Sequence, residues 1–409
     1  MLLTKFEQCR ACRGNLTEIL DLGFHYLHGS FVFSDYQPPT RKIPLVITKC
    51  DDCGLIQQKY SIHTSILYTR YGYRSSTNDT MRKHLAGIVT EILRLKNNVS
   101  KVLDIGQNDG FMLSCYPSQV NKYGVDPCNI KSVTMDNHTF INDTFPSERM
   151  PLKSDFDVVH AIACFYDIDD PIFFLKRMLS SIKRDGIGII EVAYWPDKMA
   201  KNALDEFCQE HVAFYNFENI EDLLNKAGAK VIRVVKNNIN GGSIQVWFAH
   251  KCFDDRDFLQ FRKDIDAIRV DEFNQNLHMG SFYFNFSERI NELRKEVLDL
   301  FDNIDDKKET VHLFAASTKG NVALQFFGLT AREIPFCSER NPEKIGGYTL
   351  GTHIKMISEE DSRALKPDYY FVTNWAFKDE IIQREQEYIK GGGKLIFCFP
   401  KLEVYPPEV

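Results

Sequence analysis

Two adjacent residues, Glu210 and His211, lie in the aromatic run FCQEHVAFYNF at 207–217, and their types suit proton transfer. An imidazole ionises near neutral pH, so beside a carboxylate that orients it or holds a substrate hydroxyl it can serve as a general base. The ordinary alternative is an exposed helix-end pair or a packed core histidine, and position along the chain has to decide. Four cysteines carry different chemistry. Cys9 and Cys12 form one C-x2-C and Cys50 and Cys53 another, with 37 residues between them. Four thiolates at this spacing suit tetrahedral zinc, and with all four positions filled the metal has a structural role and no open place for water. The stretch between the knuckles is apolar and aromatic, with Arg41 and Lys42 as its basic pair. That composition points to packing against a neighbouring domain rather than to nucleic acid.

A third motif is KVLDIGQNDGFML at 101–113, an apolar strand entering a Gly-x-x-x-Gly turn before an apolar segment. Gly106 and Gly110 let the backbone turn tightly and approach a ligand, as the first turn of a Rossmann-like unit must. About twenty residues on, the strand KYGVDP ends in Asp126, where a carboxylate can accept ribose hydroxyls. Neither G-x-G-x-x-G nor a Walker lysine is present. Asp104 and Asp109 would repel a pyrophosphate but suit a sulfonium cation and an amino-acid moiety. The expected cofactor is therefore S-adenosylmethionine, held by Asp104, Gly106, Asn108, Asp109, Gly110 and Asp126.

The elements that must carry these residues follow by alternation. HTFINDTF, DFDVVHAIACF and IKRDGIGIIEVAYWP read as third, fourth and fifth strands. NFENIEDLLNKAGAK reads as a helix capped by Asn216 and closed by Gly228, before the strands KVIRVVK and SIQVWFAH. This is a seven-stranded order in which Glu210 and His211 occupy an insertion after the fifth strand. Connections at the carboxyl ends of strands flank the ligand crevice of such a sheet, which favours the catalytic reading of the pair. From about 251 the chain turns helical, and TVHLFAASTKGNVALQFFGL at 310–329 repeats the strand, turn and helix pattern. Its turn places Lys319 and Asn321 where a phosphate could sit.

The 409 residues suffice for two or three domains, and a net charge of −6 lacks the footprint of a nucleic-acid or anionic-membrane binder. The first residues are too short in apolar stretch for a signal peptide, and no run of 18 apolar residues occurs. Eleven cysteines, an odd number, read as reduced thiols plus one cluster. The expectation is a soluble cytoplasmic protein, monomer or homodimer, with a small-molecule partner.

CRACRG…LDLG, CDDCGLIQ, YGYRSST…MRKH, VLDIGQNDGFML, EH, INGGSIQVW, STKGN, GGYTLGTH and NWAFKDEI occur in this order over about residues 5–402. Together they resemble the nucleotide-sugar C-methyltransferases of deoxysugar biosynthesis, which methylate a 4-keto sugar at the adjacent carbon. The resemblance implies an α/β chain with a zinc-binding domain at 1–65, a class I methyltransferase domain at 66–250 and a Rossmann-like substrate domain at 251–409. It further implies His211 as base, Glu210 as its orienter or as a hydroxyl acceptor, Tyr73 as donor to the enolate oxygen, and Tyr71, Asn240, Lys319 and Asn321 as substrate contacts. Departures from the family pattern fall at Cys208, where a tyrosine is usual, at Asn240, and at Ala163 and Asp167. All touch the acceptor pocket, so the methyl donor is fixed more firmly than the acceptor. O- or N-methylation on the same scaffold, or binding without turnover, are the alternatives.

Overall fold

The computed structural model describes residues 3–68, 72–150, 155–277 and 279–407. At its centre is the seven-stranded sheet that the alternation predicts: β1 (Lys101–Ile105), β2 (Asn121–Asp126), β3 (His138–Asn142), β4 (Phe156–Ile162), β5 (Ile182–Ala193), β6 (Ala229–Asn237) and β7 (Ser243–His250). They lie in the order 3-2-1-4-5-7-6. The strands β3, β2, β1, β4 and β5 are parallel, and β7 runs antiparallel to both its neighbours. Helices cover both faces, so β1, β4 and β7 are buried almost throughout rather than alternating. Asn216 caps the helix Phe217–Ala227 by accepting the amide of Asn219, and its apolar side packs Ile220, Leu223 and Leu224 into the sheet.

The N-terminal region is a small antiparallel sheet of Leu16–His25, Ile43–Cys50 and Ile56–Gln58. Its fourth strand, Ala213–Phe214, comes from the insertion after β5 and pairs with Gln57 and Ile56. The C-terminal region builds a second open sheet, with parallel strands Val311–Phe314, Phe336–Glu339, Lys355–Ser358, Tyr369–Val372 and Lys394–Phe397. Phe31 and Val32, from the N-terminal region, extend its edge against Thr349 and Tyr348. The long helix Gly280–Lys307 buries Tyr283, Phe286, Ile290, Leu293, Val297, Phe301 and Ile304 along one stripe. Two chain crossings therefore tie the three regions into one unit.

One difference concerns the boundary expected at 250/251. Phe258, Ile265 and Ile268, in the helical segment that follows, pack into the central core beside residues of β4, β5 and β7. Their apolar stripe has a ready partner there, so the third region's own core begins with the helix at Gly280. No helix among the described residues is long and apolar enough to cross a membrane.

The four cysteine Sγ atoms lie within 4.8 Å of one another, with Cys9 to Cys53 at 3.6 Å and Cys12 to Cys50 at 3.4 Å. Thiolates bonded to zinc at ~2.3 Å stand about 3.8 Å apart along tetrahedral edges, so the cluster fits the ion. Amides of Ala11, Gly14 and Cys53 point at the sulfurs of Cys9, Cys12 and Cys50 and ease the accumulated negative charge. Cys9 and Cys50 are also part of the central core, which makes the knuckle a wedge between sheets. Purified protein is expected to carry about one zinc per chain. The Cys50→Ser protein is expected to lose the zinc and to melt at a clearly lower temperature, as elemental analysis and thermal unfolding would show. Unchanged melting in a zinc-free variant would contradict the role assigned here.

Candidate active site

The loop after β1 has the backbone its glycines predict. Gly106 and Gly110 adopt φ of 76° and 73°, a left-handed conformation costly for other residues, and Asn108 joins them at 55°. A Cβ on Gly106 would lie 3.1 Å from Cys164, so the loop runs close against the turn after β4. Asp126, at the end of β2, accepts the amide of Asn108 at 2.8 Å on one oxygen and that of Cys128 at 2.7 Å on the other. Burial pushes its carboxyl up, and these amides oppose the rise. Each oxygen keeps a second lone pair for a ribose hydroxyl. Asp104 accepts the Nδ1–H of His160 at 2.8 Å on one oxygen and so braces the loop from beneath.

The same loop positions Tyr73. Asn108 accepts the Ser75 amide at 3.0 Å and donates to the Tyr73 carbonyl at 3.2 Å, while Asp109 accepts the Ser76 amide at 2.9 Å. Tyr73 is 45% exposed, and desolvation followed by Asp109 raises its phenol to about 12. At neutral pH the phenol keeps its proton and can donate it. Tyr71 lies outside the described residues.

His211 is buried, 8% exposed, and its ring lies 4.0 Å from that of Tyr166 in the turn after β4. The amide of Val212 donates to the Tyr166 carbonyl at 2.8 Å, which fixes the segment at the carboxyl ends of the strands. Gln58 donates its side-chain amide to the carbonyls of Cys208 and His211, and Gln209 clamps the backbone of Tyr26 and His28. Arg10, between the first two cysteines, donates in turn to the Gln58 carbonyl. The metal knuckle thus supports the histidine through two hydrogen-bonded residues.

His211 Nδ1 lies 3.1 Å from the Glu206 carbonyl, which can only accept, so Nδ1 carries the proton. The unprotonated nitrogen of the neutral ring is Nε2, and no described residue hydrogen-bonds it. Burial lowers the imidazole's pKa, with Glu206 opposing and Lys319 and Lys198 reinforcing. This corrects the orienting role expected of Glu210, because the nearest carboxylate oxygen belongs to Glu206, 3.4 Å from Nδ1. Glu206 is 1% exposed and binds Lys198 at 3.0 Å and also Lys319. Glu210 is instead free to receive a ligand: its buried Oε2 has no partner among the described residues. Asp167 stands near it, bonded to the Tyr68 hydroxyl at 3.1 Å, and burial followed by Glu210 pushes its carboxyl well above the usual range.

Two further expectations change. Lys319 faces the Glu206 carboxylate rather than an open phosphate site, and the Gly320 amide is already capped by Ser317 at 3.0 Å. Asn321 is buried, donating to the carbonyls of His28 at 3.2 Å and Leu350 at 3.4 Å, so it joins two regions and is closed to a substrate. Asn240 adopts a φ of 53°, and its carbonyl accepts from Lys198. Sequence reasoning missed Glu206, Lys198, Gln58 and Tyr166. No spacing signal set Lys198 and Glu206 apart, because Asp197, Lys201 and Asp205 stand beside them in the stretch leading to Glu210.

Asp126→Ala is expected to weaken S-adenosylmethionine binding roughly ten- to a hundredfold, the cost of losing a buried charged acceptor. Calorimetry would read this directly, and unchanged affinity would contradict the assignment of the ribose site.

Comparison with known proteins identifies three matched regions along the chain. A zinc-binding domain model matches residues 9–68, a methyltransferase domain model 78–234 and a C-methyltransferase C-terminal domain model 238–400. The C-methyltransferase NovU of Streptomyces niveus is 25% identical over 422 aligned residues, covering 100% of this chain and 99% of that protein. Among solved structures, the Burkholderia thailandensis 1,6-didemethyltoxoflavin-N1-methyltransferase with S-adenosylhomocysteine aligns at a TM-score of 0.34 and 14% identity, over 44% of this chain and 81% of that one. The plantazolicin methyltransferase BpumL aligns at 0.34 and 13%, over 41% and 82%. The three domain matches follow one another along the chain, and with the full-length similarity to a C-methyltransferase they mark it as an S-adenosylmethionine-dependent methyltransferase.

Proposed function

We propose that the protein methylates the carbon next to the ketone of a nucleotide-linked 4-keto deoxysugar, with His211 as the general base. The observation that carries this reading is the state of the His211 ring: buried, protonated on Nδ1 and open at Nε2, beside the turn that touches the cofactor loop. A carbon acid needs a base that is neutral at physiological pH, and burial keeps this imidazole so. Bound S-adenosylmethionine supplies an electrophilic methyl group.

The residues divide the work as follows. Nε2 of His211 takes the proton alpha to the ketone. The electron pair left on carbon is delocalised onto the ketone oxygen, and the Tyr73 phenol donates a hydrogen bond to the resulting oxyanion. Glu210, through its unpartnered Oε2, accepts a hydroxyl of the sugar and sets its face toward the base. Asn240 is the remaining described candidate for contact with the nucleotide portion. Cys208, buried and held as a neutral thiol by desolvation, supplies no base of its own.

His211→Asn is expected to bind methyl donor normally while losing exchange of the alpha proton with deuterated solvent and roughly 10²–10⁴ of the methylation rate. Tyr73→Phe is expected to slow turnover without altering the melting temperature. Methyl transfer by His211→Asn at the wild-type rate would overturn the mechanism.

A further inference from the structure

We propose that Glu206 is the positioning residue for His211, and that Lys319, by sharing the Glu206 carboxylate, ties the base to the docking of the C-terminal domain. The proposal rests on His211 as the base and goes beyond it by saying what sets the ring's direction and strength. The Glu206 carbonyl accepts from Nδ1 at 3.1 Å and its carboxylate Oε2, which makes no hydrogen bond among the described residues, stands 3.4 Å from the same nitrogen, while Oε1 holds Lys198 at 3.0 Å and also Lys319. Lys198 comes from the helix Trp195–Ala200 of the central domain, whereas Lys319 comes from the helix Thr318–Phe327 of the C-terminal domain. One buried carboxylate is therefore the junction of the base with two domains.

The electrostatics give the two partners opposite signs. When Nε2 accepts a proton, the imidazolium gains from the carboxylate 3.4 Å away, in surroundings where charges are poorly screened. The Lys319 ammonium opposes that gain, by its own charge and by drawing on the same carboxylate. The Tyr166 phenol lies against the ring, and the other charged or titratable groups of the surrounding cluster are Asp205, Cys208 and Glu210 on the same segment, Asp167 after β4, and Lys198. Asp205 is held by the Trp375 indole at 3.1 Å, a second contact from the C-terminal domain onto the same segment. Undocking of that domain would remove both contacts, leaving the ring more basic and less firmly aimed.

Titration of His211 by NMR in the full-length zinc-loaded protein tests this without a substrate. Eleven histidines are present, and loss of a signal in His211→Asn assigns the one required. Glu206→Gln keeps the backbone carbonyl and removes the charge, and is expected to lower the His211 pKa by about one unit or more. Lys319→Met is expected to raise it. Loosening of the site would hydrate the ring and raise the value in both variants, so the downward shift in Glu206→Gln is diagnostic. An unchanged or raised pKa in Glu206→Gln would overturn the positioning role, and an unchanged or lowered one in Lys319→Met would overturn the coupling. If Glu206→Gln does not fold, Glu206→Asp replaces it: a drawn-back carboxylate must lower the pKa, and any other result overturns the role. These outcomes stand apart from the fate of the base assignment, which the activity of His211→Asn decides.

Discussion

The buried charge cluster around Glu206 is the interaction on which the site depends. Its carboxylate and the Lys198 ammonium are almost wholly out of water, at 1% and 0% side-chain exposure, and neither could stay there alone. Removing one member of such a pair costs about 3–5 kcal/mol, because the charge left behind has lost its compensation. That penalty favours the one arrangement of the insertion after β5 in which the pair is made. The histidine that the insertion carries is held in that arrangement through a carbonyl that also dictates its tautomer. The proton abstraction proposed for His211 requires a ring held in this way.

The zinc knuckle acts from the opposite side. Its ordered turn sets Arg10, Arg10 sets Gln58, and Gln58 holds the carbonyls of Cys208 and His211. The short strand Ala213–Phe214 then completes the N-terminal sheet immediately beyond the base. A metal with no catalytic vacancy thereby supports the loop that carries His211. The C-terminal domain closes the arrangement, through Lys319, Trp375 and Asn321, so each domain contributes to one short segment.

Much of this was legible in the residues. Apolar strands separated by helical stretches dictated the seven-stranded sheet, and the spacing of Cys9, Cys12, Cys50 and Cys53 dictated their cluster. The loop glycines had a conformation that few other residues adopt, and they adopt it. What escaped was non-local. Glu206 and Lys319 are 113 residues apart, and no spacing rule pairs them. Phe31 and Val32 form a strand of two residues, too short to show a period, in the sheet of another domain. The helix Arg262–Asn274 has an amphipathic pattern that says it must pack, but not onto which sheet. Lys319 and Asn321 carry a helix-start pattern that suits a phosphate, and only the fold reveals that a carboxylate and two carbonyls already occupy them.

The central claim is that this arrangement makes a carbon nucleophile. It is tested most directly by incubating the protein with 13C-methyl S-adenosylmethionine and nucleotide-linked 4-keto-6-deoxysugars labelled with 13C in the ring. Carbon NMR of the product should show the new methyl group with one-bond coupling to the ring carbon beside the ketone. A methyl group bonded to oxygen or nitrogen, without that coupling, would contradict the account.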